Sequence, residues 1–190
     1  MDGSEKIVYK VVRSRRNTFA VQLTDDGSVI VKAPLLSLDS QARRIVENKS
    51  NWIRRTRARI LRNRSIAEKM GGKLSPEELG ELKSGARMLI PERVEHYSRI
   101  IGVRYGKVTI RAQKSRWGSC SRLGNLNFNC LLMLAPPEVL DSVVVHELCH
   151  IKQMNHSPRF YDEVHKAFPE YDKWHTWLKN NGPVLMARLP

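Results

Sequence analysis

Apolar and polar residues alternate strictly through Asn125-Leu126-Asn127-Phe128-Asn129. A period of two predicts a β-strand with Leu126 and Phe128 on a core face and three asparagines on the other. β-Branched and aromatic residues gather likewise in Ile7–Val12, in Phe19–Leu23, and in Val29-Ile30-Val31 after the turn residues Asp25-Asp26-Gly27. Residues 6–33 are therefore expected to form a small antiparallel sheet containing a β-hairpin. A further strand is expected over Val103–Ala112, where Val108 and Ile110 alternate with polar neighbours.

The period then changes to that of helices. Ile45, Val46, Trp52, Ile53 and Ile60 recur at helical spacing and predict one helix from about 38 to 62. Ser75-Pro76-Glu77-Glu78 combines an N-cap serine, a first-turn proline and a capping-box glutamate. Leu79, Leu82, Ala86 and Leu89 follow at core spacing, and Pro91 is expected to break or kink the helix before Val94, Tyr97, Ile100 and Ile101. Pro136-Pro137-Glu138 opens a helix through the apolar run Val139–Val145. Ser157-Pro158 and Glu170 open two more, the last carrying Tyr171, Trp174, Trp177 and Leu178 as a docking stripe. With Arg64–Leu74 and its Gly71-Gly72 pair as a linker, the pattern predicts an α+β chain. A β-hairpin and basic-helix subdomain would occupy residues 1–70 and a second domain residues 75–190.

Composition narrows the setting. The chain has 190 residues, 41% of them hydrophobic, without a run of 18 apolar residues, and Met1–Lys6 lacks the apolar stretch of a signal peptide. A cytoplasmic protein with no membrane association is expected. Cys120, Cys130 and Cys149 are odd in number and form no C-x-x-C pair, which fits reduced thiols.

The net charge of +14 is uneven. Arg43, Arg44, Lys49, Arg54, Arg55, Arg57, Arg59, Arg62 and Arg64 stand against the single acid Glu47. Such a cluster suits a polyanion, either nucleic acid or a triphosphate. It equally suits the solvated side of a helix whose other side is packed.

Chemistry concentrates in His146-Glu147-Leu148-Cys149-His150 and His156. Histidines four apart on a helix share a face, so the imidazoles of His146 and His150 can converge on one zinc ion with Glu147 pointing at the bound water, the alternative being histidines packed in the core. Catalytic zinc takes three protein ligands, and His156, ten positions after His146, is the third candidate. The turn glycine of that extended pattern is replaced by Gln153, so Asn155 is expected to supply the left-handed residue ending the helix. An apolar helix carrying two histidines and a carboxylate would bear a desolvation cost unless those groups were paired or bound to a metal.

Four segments together, Lys114–Ser121 (KSRWGSCS), Gly124–Asn129 (GNLNFN), His146–His150 (HELCH) and Asn155-His156-Ser157 followed by Arg159-Phe160, carry a resemblance. The chain resembles the YgjP-like metal-dependent hydrolases, relatives of the SprT and WLM zinc metallopeptidases. That resemblance implies a zincin-like metallopeptidase domain over 75–190, zinc on His146, His150 and His156, and Glu147 as catalytic base. It implies a peptide or protein substrate and, alternatively, hydrolysis of a nucleoside triphosphate such as UTP.

Substrate-binding candidates follow from their neighbourhood. Zinc peptidases bind substrate as a strand added to a sheet edge, and Asn127 and Asn129 are expected on the floor of that cleft. Trp117 would wall it or else anchor the core, and Arg116 is counted with them.

Overall fold

The computed structural model describes residues 6–190. The N-terminal stretch read for a leader thus lies, apart from Lys6, outside the described residues. The architecture is α+β, in two compact units, Met1–Ile66 and Ala67–Pro190.

In the first unit β1 (Tyr9–Ser14), β2 (Ala20–Leu23) and β3 (Val29–Pro34) form a sheet in the order β1-β3-β2. β2 and β3 are the hairpin, and Gly27 in its turn takes φ 81°, a left-handed value that favours glycine. β1 pairs in parallel with β3, which corrects the all-antiparallel expectation. β3 holds the buried Val29, Val31 and Ala33, so the most apolar strand takes the centre, where both edges are paired. The helix expected over 38–62 is two helices, α1 (Asp39–Asn48) and α2 (Ser50–Lys69). Asn48 and Ser50 flank the break at Lys49, and both compete for backbone hydrogen bonds in a helix. Ala42, Val46 and Ile53 bury themselves with Val29 and Val31 to make this unit's core.

The second unit is built around α4 (Pro137–Cys149), whose residues Val139–Val145, Leu148 and Cys149 are buried. α3 (Pro76–Ile101) packs beside it, opened by the expected capping box between Ser75 and Glu78. Pro91 sits inside a continuous 26-residue helix and does not break it. Proline removes one backbone donor there, and buried Ile90 and Val94 on either side hold the turn in place.

β4 (Val108–Arg111), β6 (Leu126–Asn129) and β5 (Gly118–Cys120) form the second sheet in the order β4-β6-β5, with β4 parallel and β5 antiparallel to β6. β5 was not anticipated, because Gly-Ser-Cys carries no strand propensity. Leu126 and Phe128 reach the core as expected, at 0% exposure. A 3₁₀ turn (Cys130–Leu134) leads into α4, and α5 (Pro158–Ala167) and α6 (Tyr171–Ala187) complete the unit. Among the described residues no helix is long and apolar enough to cross a membrane.

One ion pair ties α3 to α4 within this core. Arg93 meets Asp141 with two bonds of 2.7 Å, and the Tyr97 hydroxyl donates to Asp141 Oδ2 at 3.2 Å. Asp141→Ala is expected to destabilise folding by about 2 kcal/mol, less than the ~3–5 kcal/mol of a fully buried pair. The discount reflects the Arg93 side chain, which is 34% exposed and can turn to water. The urea midpoint measures the loss; an unmoved midpoint would remove this pair from the fold's support.

Candidate metal centre

α4 delivers His146 and Glu147 from its last turn and His150 from its C-cap. The chain then reverses tightly. Lys152 N–H and Gln153 N–H both donate to Cys149 O, and the Gln153 carbonyl accepts at 3.1 Å from His150 Nδ1. No non-glycine residue among those described has positive φ. Asn155 is therefore not the left-handed residue expected of it. The reversal uses right-handed and extended backbone, which Gln153 adopts as readily as any residue.

The reversal presents His156 to the other two histidines. His150 Nε2 and His156 Nε2 lie 3.2 and 3.1 Å from His146 Nε2, and one ligand atom from each of the three residues lies within 4.8 Å of the others. Tetrahedral zinc at 2.0–2.1 Å would set imidazole nitrogens about 3.3 Å apart, so the trio fits such an ion with little adjustment. Burial keeps His146 neutral, lowering its pKa to about 3, and lowers that of His150 as well. Neutral imidazoles keep the lone pairs that a metal needs.

The orientation of His146 is fixed from behind. Its Nδ1 lies 2.8 Å from the hydroxyl of Tyr171, which lies 3.1 Å from Nδ1 of His175. With Nε2 left free for a metal, Nδ1–H donates to the tyrosine oxygen and the tyrosine O–H donates to His175. Tyr171 is 2% exposed and its pKa is raised, chiefly by burial, so the hydroxyl stays protonated. Partners of this kind typically contribute tenfold to hundredfold to metal affinity. Tyr171→Phe is expected to weaken metal binding within that range in a competition titration, while wild-type affinity would show that His146 needs no such support.

Glu147 is 6% exposed. Burial pushes its carboxyl up to about 8, and the charge of Arg116 opposes the rise. Its carboxylate lies directly over Gly118. A methyl group at that position would stand 2.5 Å from Oε1 and 2.6 Å from Cγ, closer than any ordinary contact, so the strand can pass beneath the carboxylate only without a side chain.

The remaining candidates separate. Gly118 and Cys120 of β5 stand opposite Phe128 and Leu126 on the face turned to α4, so Ser119 and its partner Asn127 face the other way. Asn127 bonds there to Ser119 Oγ at 3.2 Å and to Arg111 Nε at 3.3 Å, away from the trio. Asn129, expected on the cleft floor, has 0% exposure. Its amide donates to the carbonyls of Gln113 and Arg116, and its oxygen accepts from Leu131 N–H, so it knots the loop to the 3₁₀ turn. That is a correction. β6 is the central strand, both of whose edges are paired, and it offers no place for a substrate strand.

Trp117 lies against α6, where a methyl on Gly182 would meet its ring at 2.9 Å; it packs as an anchor. Arg116 is exposed beside Glu147. Tyr161 has its ring 6.3 Å from that of His156, while His165 pairs with Asp172 at 3.1 Å. The three cysteines are free thiols, and Cys149, whose pKa burial raises to about 12, is not part of the trio.

Sequence reasoning missed Tyr171, His175 and Gly118. Tyr171 repeats with Trp174 and Leu178 in a pattern that reads as packing, and nothing in that pattern points to a residue 25 positions earlier. Gly118 carried a faint signal, a glycine inside a strand, which often marks close approach of another group.

A histidine trio that could hold a metal, two of its members and a buried carboxylate lying at the end of α4, occurs in a chain whose class comparison gives as metallopeptidase. The model of the family described as YgjP-like, metallopeptidase domain, matches residues 80–181. The match covers more than half of the chain, and the chain belongs to that family. Among curated proteins none matches.

Similar solved structures include the metallopeptidase zymogen of Pyrococcus abyssi abylysin, at 27% identity and TM-score 0.44 over 48% of this chain and 94% of that one. The zymogen of Methanocaldococcus jannaschii jannalysin has 23% identity and TM-score 0.43 over the same shares, 48% and 94%. Superpositions this loose carry no argument about the site.

Proposed function

We propose that the chain is a zinc-dependent peptidase in which His146, His150 and His156 hold the metal and Glu147 is the general base. The supporting observation is the convergence of three Nε2 atoms, 3.1 and 3.2 Å from the central one, beside a buried carboxylate. Bound there, zinc supplies a Lewis acid that brings a water toward neutral pKa and polarises the scissile carbonyl.

Glu147 accepts the proton of the attacking water and returns it to the departing amine. Without a metal its carboxyl, raised to about 8, holds its own proton at neutral pH. A divalent cation alongside favours the ionised form, so the base becomes competent only in the loaded site. Arg116 acts in the same sense and, being exposed, is the substrate-binding candidate retained here. The outer edge of β5, next to Glu147, offers main-chain groups to an extended peptide. Residues 75–190 then form the catalytic domain, with 1–70 as its extension. Nucleotide hydrolysis gains no second site, since among the described residues the trio is the metal-competent group and no acidic cluster for magnesium accompanies it.

Elemental analysis tests the metal assignment. Purified protein is expected to hold close to one zinc per chain and His150→Ala to lose most of it, because two imidazoles leave the site incomplete. Full zinc retention in that variant would take His150 out of the site.

A further inference from the structure

The packed side of α2 is occupied by Ile53 and Ala67, which are buried, and by Thr56, Ile60 and Asn63, which are half-buried. The rest of its circumference meets solvent. Arg54, Arg55, Arg59 and Arg62 fall there, all exposed, over an arc of roughly 140°. Like charges three and four residues apart, as in Arg55–Arg59 and Arg59–Arg62, destabilise a helix. α2 has no acid in its first turn, and its single acid, Glu68, stands near its end. A face kept only for solubility has no need of this arrangement, because interspersed charges of both signs dissolve a helix as well without the repulsion.

The residue types select the partner. Four of the five cations of this arc are arginines, the fifth being Lys69 at the helix end, and the planar fork of arginine pairs with phosphate oxygens two at a time. Exposed Leu61 lies just outside one edge of the arc and exposed Ile66 just inside the other, roughly 140° apart, so no apolar stripe is available to sink into a lipid surface. A single strand would require exposed aromatic rings on which bases stack. α2 offers one such ring, Trp52, which is 46% exposed with Lys49 over it at 5.8 Å, and not the succession of rings on which successive bases stack.

A duplex remains. The deep, narrow major groove of A-form RNA excludes side chains, whereas that of B-DNA, about 12 Å wide, admits a helix between two rows of phosphates. A helix of 20 residues, about 30 Å long, with arginines on both flanks of its outer face matches that groove. We propose that α2 binds duplex DNA through its phosphates, with Arg54, Arg55, Arg59 and Arg62 as the contacts. Ala58 and Asn51 lie between them, and the contacts carry no sequence preference, since phosphates are the same at every base pair. This binding stands apart from the hydrolytic reading and does not depend on zinc.

Fluorescence anisotropy of the full chain with a labelled random-sequence duplex, across a potassium chloride series, tests it. Four phosphate contacts are expected to give a slope of log K against log salt of about −3.6, and Arg55→Gln, Arg59→Gln and Arg62→Gln together should flatten it to about −0.9. Affinity at ~0.1 M salt should fall at least about tenfold in that variant. Removing the same charge as Lys107→Gln, Lys166→Gln and Lys179→Gln should leave the slope unchanged. Circular dichroism checks that α2 remains helical; if the triple variant unfolds, Arg59→Gln alone should still flatten the slope by about 0.9. An unchanged slope in the arginine variant would overturn the proposal. So would affinity for a single strand, an RNA duplex or phosphatidylserine vesicles equal to that for duplex DNA.

Discussion

Replacing Glu147 by Gln is expected to leave the fold and the zinc content unchanged and to lower peptide hydrolysis by at least about a hundredfold. Burial raises this carboxyl to about 8, so in the metal-free chain it is protonated and neutral at pH 7. Glutamine has nearly the same shape and charge as that form, and the buried site tolerates it. What the amide lacks is the capacity to take a proton from water. Steady-state kinetics paired with elemental analysis reads both halves of the expectation, and wild-type turnover in the variant would sink the assignment of Glu147.

Gly118→Ala is expected to lower turnover by a factor of about 10 to 100 without emptying the metal site, because a shift of about 1 Å at a reacting group costs on that order. The added methyl would stand 2.5 Å from Glu147 Oε1 and 2.8 Å from Cδ. β5 cannot withdraw to make room, since Gly118 is paired across the sheet with Phe128, which is fully buried. The carboxylate must move instead. The three histidines lie outside this contact and keep their geometry, so zinc content separates this effect from loss of the site. A folded Gly118→Ala chain with the wild-type kcat/KM would show that the carboxylate has freedom to spare.

The convergence of the three histidines was legible because helix geometry alone brings residues four apart together, and the ten-residue spacing needs only a reversal to add His156. The shape of that reversal was not legible. Positive φ was assigned to Asn155 by analogy with a glycine turn, while the chain solved the same problem through hydrogen bonds to Cys149 O and Gln153 O. Strand existence was readable from alternation at Leu126 and Phe128, but strand order was not. In both sheets the last strand in sequence inserts between the other two, giving β1-β3-β2 and β4-β6-β5. Neighbours in sequence are usually neighbours in a sheet, and that expectation fails twice here because the most buried strand claims the centre.

The misplacement of Asn129 followed from the same cause. Alternation said that Asn129 lies off the Phe128 face, which is true of a strand's two faces but silent on what covers them. The loop carrying Gln113 and Arg116 covers this one, and the buried amide is satisfied by their carbonyls. Tyr171 and His175 were hidden for the opposite reason. A helix whose stripe reads as packing also reaches into the site, and only the three-dimensional meeting of α6 with α4 reveals which of its side chains touches His146.

Mass spectrometry of zinc-loaded protein incubated with a mixture of unfolded proteins and, in parallel, with UTP tests the central claim most directly. New peptide termini should appear with the wild-type chain and be absent with Glu147→Gln, while UTP remains intact in both. Cleavage of UTP that depends on Glu147, with every protein substrate left whole, would contradict the peptidase reading.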